Sequence, residues 1–236
     1  MSSHPRQRKL DDSGFLPGVA SFQCLLQEIH NSNINTLSSL YGRGKVLFNE
    51  GEVLKGVYIL RTGRATVSIS SSAGRIVILR VAEPGDLLGL NSTLCNCPYE
   101  TTVKTVEPCH ADFISRDELI TLMERSRQGT QALLMILSRE LAELEDRARI
   151  LLLPQSSSAR LARLLLQWSV ESGVNGSRTV RIDKWFTQED IAQMIGSSRE
   201  TVTRLLSTLS RRKIIQITPD CILIRNQVAL KAIVES

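Results

Sequence analysis

Thr187-Gln188-Glu189-Asp190-Ile191-Ala192-Gln193-Met194-Ile195-Gly196, followed after Ser197 by Ser198-Arg199-Glu200-Thr201-Val202-Thr203-Arg204-Leu205-Leu206, reads as two short helices joined at a glycine. Thr187 with the acidic Asp190 three positions on is capping-box-like, and Gly196 can end the first helix because it takes a left-handed backbone without a Cβ clash. The second helix begins almost at once, which is helix-turn-helix spacing. Ala192 is small where crossing helices must approach, and Ile191, Ile195, Val202 and Leu205 are placed to supply the buried contacts. Near the start of the second helix its outer side carries Arg199, Glu200, Thr203 and Arg204. Arginine bonds guanine bidentately and glutamate accepts from cytosine N4, so these residue types suit the reading of base edges in the major groove of double-stranded DNA. Thr187, Ser198 and Thr201 are hydroxyls near helix starts, which suit backbone phosphates. Two packed helices with a merely solvated charged face are the bland alternative; the turn glycine, the core spacing and the outer face together favour DNA.

Charge supports the same reading. The chain of 236 residues carries 29 Lys+Arg against 24 Asp+Glu, a net +5. Residues 1–153 hold 17 of each sign, and residues 154–236 hold 12 basic against 7 acidic, so the whole excess lies in the segment with the two helices. A basic domain on a neutral one points to a polyanionic partner. After Arg211-Arg212-Lys213, the runs Ile214 to Ile217 and Cys221 to Ile224, separated by Pro219-Asp220, read as a hairpin and make the unit a winged helix-turn-helix. Upstream, Pro154 ends a long helix, and the polar run Gln155 to Ser158 offers a serine cap for a helix from Ala159 to about Glu171. A loop from Ser172 to Ser177 and a short strand from Thr179 to Ile182 follow.

The first half has a different pattern. From about Lys45 to Ser115 short β-branched runs alternate with Gly51, Gly56, Gly63, Gly74 and Gly85, as in an antiparallel barrel or roll with a turn at each glycine. From Arg116 to Leu153 there is no proline and helix formers dominate. Within that run Leu134, Leu137, Leu141, Leu144, Ala148 and Leu151 are spaced 3, 4, 3, 4, 3, a heptad seam. Charged residues such as Arg139, Glu140 and Glu143 fill much of the remaining surface, so a partner helix is a natural cover and a homodimer is expected. The expected plan is α+β: a flexible arm over residues 1–20, a β-roll sensor over 21–115, a dimerisation helix region over 116–153 and the winged helix domain over 154–236.

Several classes are disfavoured. No apolar run approaches the roughly 18 residues of a membrane span, and the polar N-terminus has no signal core, so a cytoplasmic location is expected. There is no Gly-x-Ser-x-Gly elbow, P-loop or metalloprotease motif, and His4, His30 and His110 form no triad-like group, so the chain is not expected to be an enzyme. Cys24, Cys95, Cys97, Cys109 and Cys221 are an odd, scattered set that matches no zinc spacing. No metal and no cofactor are expected; a thiol redox sensor is the alternative they leave open. A β-roll regulatory subunit without DNA binding is a further alternative, though it has no need of Arg199 and Arg204.

The sequence resembles bacterial transcription regulators of the CRP/FNR family over about Val46 to Ile224, most strongly in Thr-Gln-Glu-Asp-Ile-Ala and Ser-Arg-Glu-Thr-Val-Thr-Arg-Leu-Leu. The resemblance implies an N-terminal double-stranded β-roll of the cyclic-nucleotide-binding type, a long dimerisation helix and a C-terminal winged helix. It places Arg199, Glu200 and Arg204 on the family's base-reading positions, and implies a TGTGA or TTGA type of recognition sequence and RNA polymerase as a partner. It also implies an effector pocket at Gly89, Leu90, Glu100 and Thr101. There the chain departs from the cyclic AMP receivers. Gly85-Asp86-Leu87-Leu88-Gly89 keeps the frame of the phosphate-binding cassette, but Leu90 stands for the ribose-binding Glu and Glu100-Thr101 for the phosphate-binding Arg-Ser. A carboxylate in place of that arginine repels phosphate. Glu145 and Asp146 likewise replace the Thr-Ser offered to the base. An unknown small-molecule effector, not cyclic AMP bound in the usual way, is the expectation, and only Cys24 lies near the N-terminus, where the iron-sulfur sensors of the family carry a cysteine cluster.

Overall fold

The computed structural model describes residues 17–152, 156–171 and 180–235. The chain divides into two units, one built on residues up to Val67 with Val81–Leu144, the other on Ser68–Arg80 with Glu145 onward. Its elements follow in the order α1 (Pro17–Asn31), β1 (Leu37–Tyr41), β2 (Val46–Phe48), β3 (Gly56–Thr62), β4 (Ala65–Ser70), β5 (Ile76–Ala82), β6 (Leu87–Leu88), α2 (Leu90–Cys95), β7 (Thr102–Thr105), β8 (Cys109–Ser115), α3 (Arg116–Arg125) and α4 (Arg127–Leu152). After these come α5 (Ser157–Glu171), β9 (Val180–Asp183), α6 (Gln188–Ile195), α7 (Arg199–Arg211), β10 (Ile215–Ile217), β11 (Cys221–Ile224) and α8 (Gln227–Glu235). This is the expected α+β architecture.

Two four-stranded sheets, β1-β8-β3-β6 and β2-β7-β4-β5, make the β-roll. Its interior is filled by Phe48, Leu60, Val67, Leu88, Tyr99 and Val103 with the small Ala65, Ala82 and Ala111 between them. A second core lies between α1, α3, α4 and the other faces of β3 and β8, where Leu25, Val57, Ile59, Leu90, Ile114, Leu119, Leu122, Leu133 and Ile136 are buried together. Strand alternation sends neighbours to the two cores, as with Ile59 and Leu60.

Four of the five glycines placed in turns have the left-handed backbone that turns require: Gly51, Gly63, Gly74 and Gly85. Gly56 does not. It lies within β3, and a Cβ there would fall 2.1 Å from the Ile114 carbonyl oxygen on β8, so close strand approach is what demands glycine.

The sequence pattern missed α1 and α2. Residues 17–20, expected in the N-terminal arm, begin a helix. The single helix expected after Ser115 is two, because Ser126 takes an extended backbone (φ −127°, ψ 109°) after α3. Its Oγ then accepts from the Gly129 N–H at 2.8 Å and donates to the Glu28 carboxylate at 2.5 Å, which makes it the N-cap of α4 and ties that helix to α1. No proline is needed for the break.

In the other unit, Ser156 Oγ accepts from the Ala159 N–H at 3.1 Å, so α5 starts at Ser157. Trp168 stacks on Phe186 at 4.3 Å, and Trp185 meets Phe186 edge-on at 5.0 Å. This aromatic cluster fixes the chain between β9 and α6 against α5. The wing is the antiparallel sheet β10-β11-β9, with Ile215 opposite Ile224 and Ile222 opposite Ile182. Pro154, the loop 172–177 and Thr179 lie outside the described residues.

Candidate nucleic-acid interface

The helix start at Thr187 is a complete capping box: its Oγ1 accepts from the Asp190 N–H at 3.1 Å, and the Asp190 carboxylate accepts from the Thr187 N–H at 2.6 Å. Gly196 ends α6 with φ 61°, its N–H donating to the Ala192 carbonyl. Arg160 of α5 donates from Nε to the Ile195 carbonyl at 2.7 Å, covering another orphan carbonyl of the same turn. Ser198 then caps α7, accepting from the Thr201 N–H at 3.2 Å.

Ile191, Ala192, Met194 and Ile195 of α6 are buried with Val202, Leu206 and Leu209 of α7. Leu205, expected among the buried contacts, is half-buried, because the inward stripe of α7 steps by four and then three from Val202 to Leu206 and Leu209. Arg199, Glu200, Thr203 and Arg204 are all exposed on the opposite side. The Glu200 carboxyl is held below its ordinary range by its own backbone N–H at the helix start, then by the Ser198 hydroxyl and by Arg199. The four expected base-reading residues therefore form one accessible face with a carboxylate among guanidinium groups.

The three hydroxyls assigned to phosphate are not equivalent. Thr187 donates to Asp190 at 2.8 Å, and Ser198 shares its proton between Thr201 Oγ1 at 3.1 Å and the Glu200 carboxylate, so both hydroxyl protons are spent at the helix starts. Thr201 accepts that bond and keeps its own proton. Sequence reasoning missed Gln188: Thr203 donates to its Oε1 at 2.5 Å, which sets the amide beside the outer face of α7. The available signal was its place in the first turn of α6, one residue after the cap.

The roll cassette differs from expectation. Gly89 has φ 81°, and a Cβ there would lie 2.7 Å from the Tyr99 ring. Leu90 does not join a pocket with Gly89, Glu100 and Thr101: it is 1% exposed and packs in the helical core, since a leucine beginning α2 gains more from burial than from lining a polar site. Glu100 is exposed, accepts from Asn91 Nδ2 at 2.6 Å and sends its N–H to Ser92 Oγ, while Thr101 is half-buried. Within the roll Phe48 stacks on Tyr99 at 3.9 Å and lies 5.7 Å from Tyr58. Burial pushes the Tyr58 phenol up to about 12.

On α4 the heptad residues Leu134, Leu141 and Leu144 are exposed by 57%, 59% and 40%, and Ala148 is exposed too. Leu137 is half-buried against the helical core. The Leu151 side chain lies outside the described residues, as does that of Asp146; Glu145 is exposed. Of the thiols, Cys95 is exposed, Cys24 and Cys97 are half-buried, and Cys109 and Cys221 are buried. Burial and nearby Glu107 raise the Cys109 thiol, which donates to the Arg64 and Glu107 carbonyls. No helix among the described residues is long and apolar enough to cross a membrane.

The family model of the cyclic nucleotide-binding domain matches residues 39–126, and that of the Crp-like helix-turn-helix domain matches residues 159–233. A CRP-like cAMP-activated global transcriptional regulator of Mycobacterium tuberculosis is 28% identical over 184 residues, covering 78% of this chain and 82% of that protein. An anaerobic regulatory protein of Pasteurella multocida is 26% identical over 217 residues, covering 88% and 77%. The solved structure of FixK2 from Bradyrhizobium japonicum superposes with a TM-score of 0.72 at 24% identity, covering 84% of this chain and 97% of that one.

Proposed function

We propose, for a chain that belongs to the CRP/FNR family of DNA-binding transcription regulators, a homodimer that reads a palindromic duplex with α7 of each copy in successive major grooves. The observation that carries this is the exposed set Arg199, Glu200, Thr203 and Arg204 on a helix whose start and turn are fixed by caps. Arg199 and Arg204 read guanine, Glu200 accepts from cytosine, and the Thr201 hydroxyl holds phosphate. In this reading the two copies pair along the α4 stripes, the half-sites lie about one helical turn apart as a two-fold symmetric helix-turn-helix dimer requires, and RNA polymerase is the partner such a regulator works with.

The regulator answers a signal through its N-terminal unit rather than cyclic AMP bound in the usual way. Two observations support that reading: Leu90 lies in the core, and the position that the resemblance gives to a phosphate-binding arginine is held by the Glu100 carboxylate, which accepts from Asn91. The two relatives are named for different signals, cAMP in one and anaerobic regulation in the other, so neither name transfers.

Selection from random duplexes, followed by gel shifts with wild type and Arg204→Ala, tests the DNA-reading role. The wild type enriches a two-fold symmetric site, and the variant loses about 1–3 kcal/mol and its preference at one position in each half. Failure to enrich any sequence would overturn the proposal. Calorimetric titration with cyclic AMP separately tests the signal, and tight binding lost on substitution of Glu100 would count against it.

A further inference from the structure

Beside α1, and outside the interior of the roll, a cavity of about 260 Å³ opens on the sheet face of β3 and β8. Leu26, Ile29, Ile34 and Ile59 form its apolar floor, the last three of them buried, and His30, Asn33 and Thr36 make a polar rim above it. Two opposite charges also line it, Arg61 of β3 and Asp112 of β8. They face each other without closing into a hydrogen bond: Arg61 Nε is 3.6 Å from Asp112 Oδ2. The guanidinium is backed by the Phe22 ring at 5.8 Å, and its terminal nitrogens have no hydrogen-bond partner among the described residues. Asp112 Oδ1 takes the Ser38 hydroxyl at 2.5 Å, which anchors the carboxylate while Oδ2 turns toward Arg61.

A half-open volume of this size lies just below the usual range of ligand sites and has room only for a molecule of a few heavy atoms beyond a leucine side chain. Charge narrows the class further. A simple carboxylate drawn to Arg61 would meet Asp112, and a simple amine drawn to Asp112 would meet Arg61. A zwitterion satisfies both, its carboxylate on the free guanidinium edge and its ammonium on Asp112. An apolar tail then covers the isoleucine floor.

We infer that this cavity binds a free α-amino acid with an aliphatic side chain, held head-first by Arg61 and Asp112. The inference goes beyond DNA reading and needs no duplex, so it stands or falls separately.

Isothermal titration of the full chain tests it, with leucine, isoleucine, valine and methionine as probes and isocaproate and isoamylamine as single-charge controls. At least one amino acid binds below about 1 mM, and both controls bind at least about tenfold more weakly. Arg61→Gln weakens the amino acid by about tenfold or more, and Thr36→Trp, which fills the exposed rim without touching either charge, removes binding as well. Unchanged melting of both variants shows that the fold is intact. Absence of binding by all four amino acids at about 10 mM overturns the inference, as does equal binding by either control, or affinity that survives in both variants.

Discussion

Arg139 on α4 donates from its terminal guanidinium nitrogen to the Asp86 carboxylate at 2.5 Å, joining the long helix to the loop that opens the roll cassette. Asp86 is 10% exposed and its other oxygen accepts from the Glu83 N–H at 3.0 Å, so it is bonded on both sides. Arg139 is 30% exposed, with Glu143 3.8 Å away along the helix. A pair this sheltered costs more to halve than to keep. Asp86→Asn and Arg139→Gln should each lower stability by about 1–3 kcal/mol, below the fully buried range because Arg139 reaches solvent. A double-mutant cycle in urea should show coupling above about 0.5 kcal/mol. Strict additivity would mean that the contact transmits nothing between loop and helix.

The aromatic filling of the roll gives a second expectation. Tyr99 donates to the Gly56 carbonyl at 2.6 Å and accepts from the Gly56 N–H at 3.2 Å, both inside the protein. Tyr99→Phe keeps the stack on Phe48 but leaves those two backbone groups unpaired, at a cost of about 1–3 kcal/mol. Gly89→Ala pushes a methyl into the same ring and holds alanine at φ 81°, so it too should destabilise, by about 1–3 kcal/mol. Urea midpoints measure both, and a wild-type midpoint for Tyr99→Phe would show that the phenol bond contributes nothing.

The helix-turn-helix was legible because its rules are local. A threonine cap, a turn glycine and apolar residues at helical spacing lie within twenty positions, and the structure forms each of them. Leu205 was misplaced because two adjacent leucines fit the stripe almost equally well, and only packing against α6 selects Leu206. Gly56 was misread for a different reason. A turn and a close strand approach both demand glycine, and the second depends on Ile114, far away in sequence. The break at Ser126 rests on Glu28 and the place of Leu90 rests on α1, long-range partners that no window along the chain contains.

Glu200 sets a pH expectation. Its folded pKa is lowered, so the carboxylate contributes stability at pH values above the ordinary glutamate range and loses it as pH falls through the folded value. Wild type should therefore melt above Glu200→Gln near neutral pH, and the difference should shrink as pH falls below the ordinary glutamate range. The group is fully exposed, so the direction of the trend is the test. A gap that persists in acid would assign the difference to side-chain shape rather than charge.

The proposed dimer pairs through the exposed stripe on α4. Ala132, Leu133 and Ile136 face the core of their own unit, which leaves Leu134, Leu141 and Leu144 exposed on another side of the same helix. Three leucines in water along one face cost burial worth about 1.5–3 kcal/mol each, and a second copy of the helix recovers it. Leu141→Glu places a carboxylate opposite its own symmetry mate, so both lost burial and like-charge repulsion act against pairing. Sedimentation velocity should show a dimer for wild type and a monomer for the variant, with circular dichroism unchanged. Because a single head keeps only one half-site, the variant should also lose most of its preference for the palindrome over one half of it. A monomeric wild type would overturn the homodimer, and a dimer that survives Leu141→Glu would place its interface elsewhere.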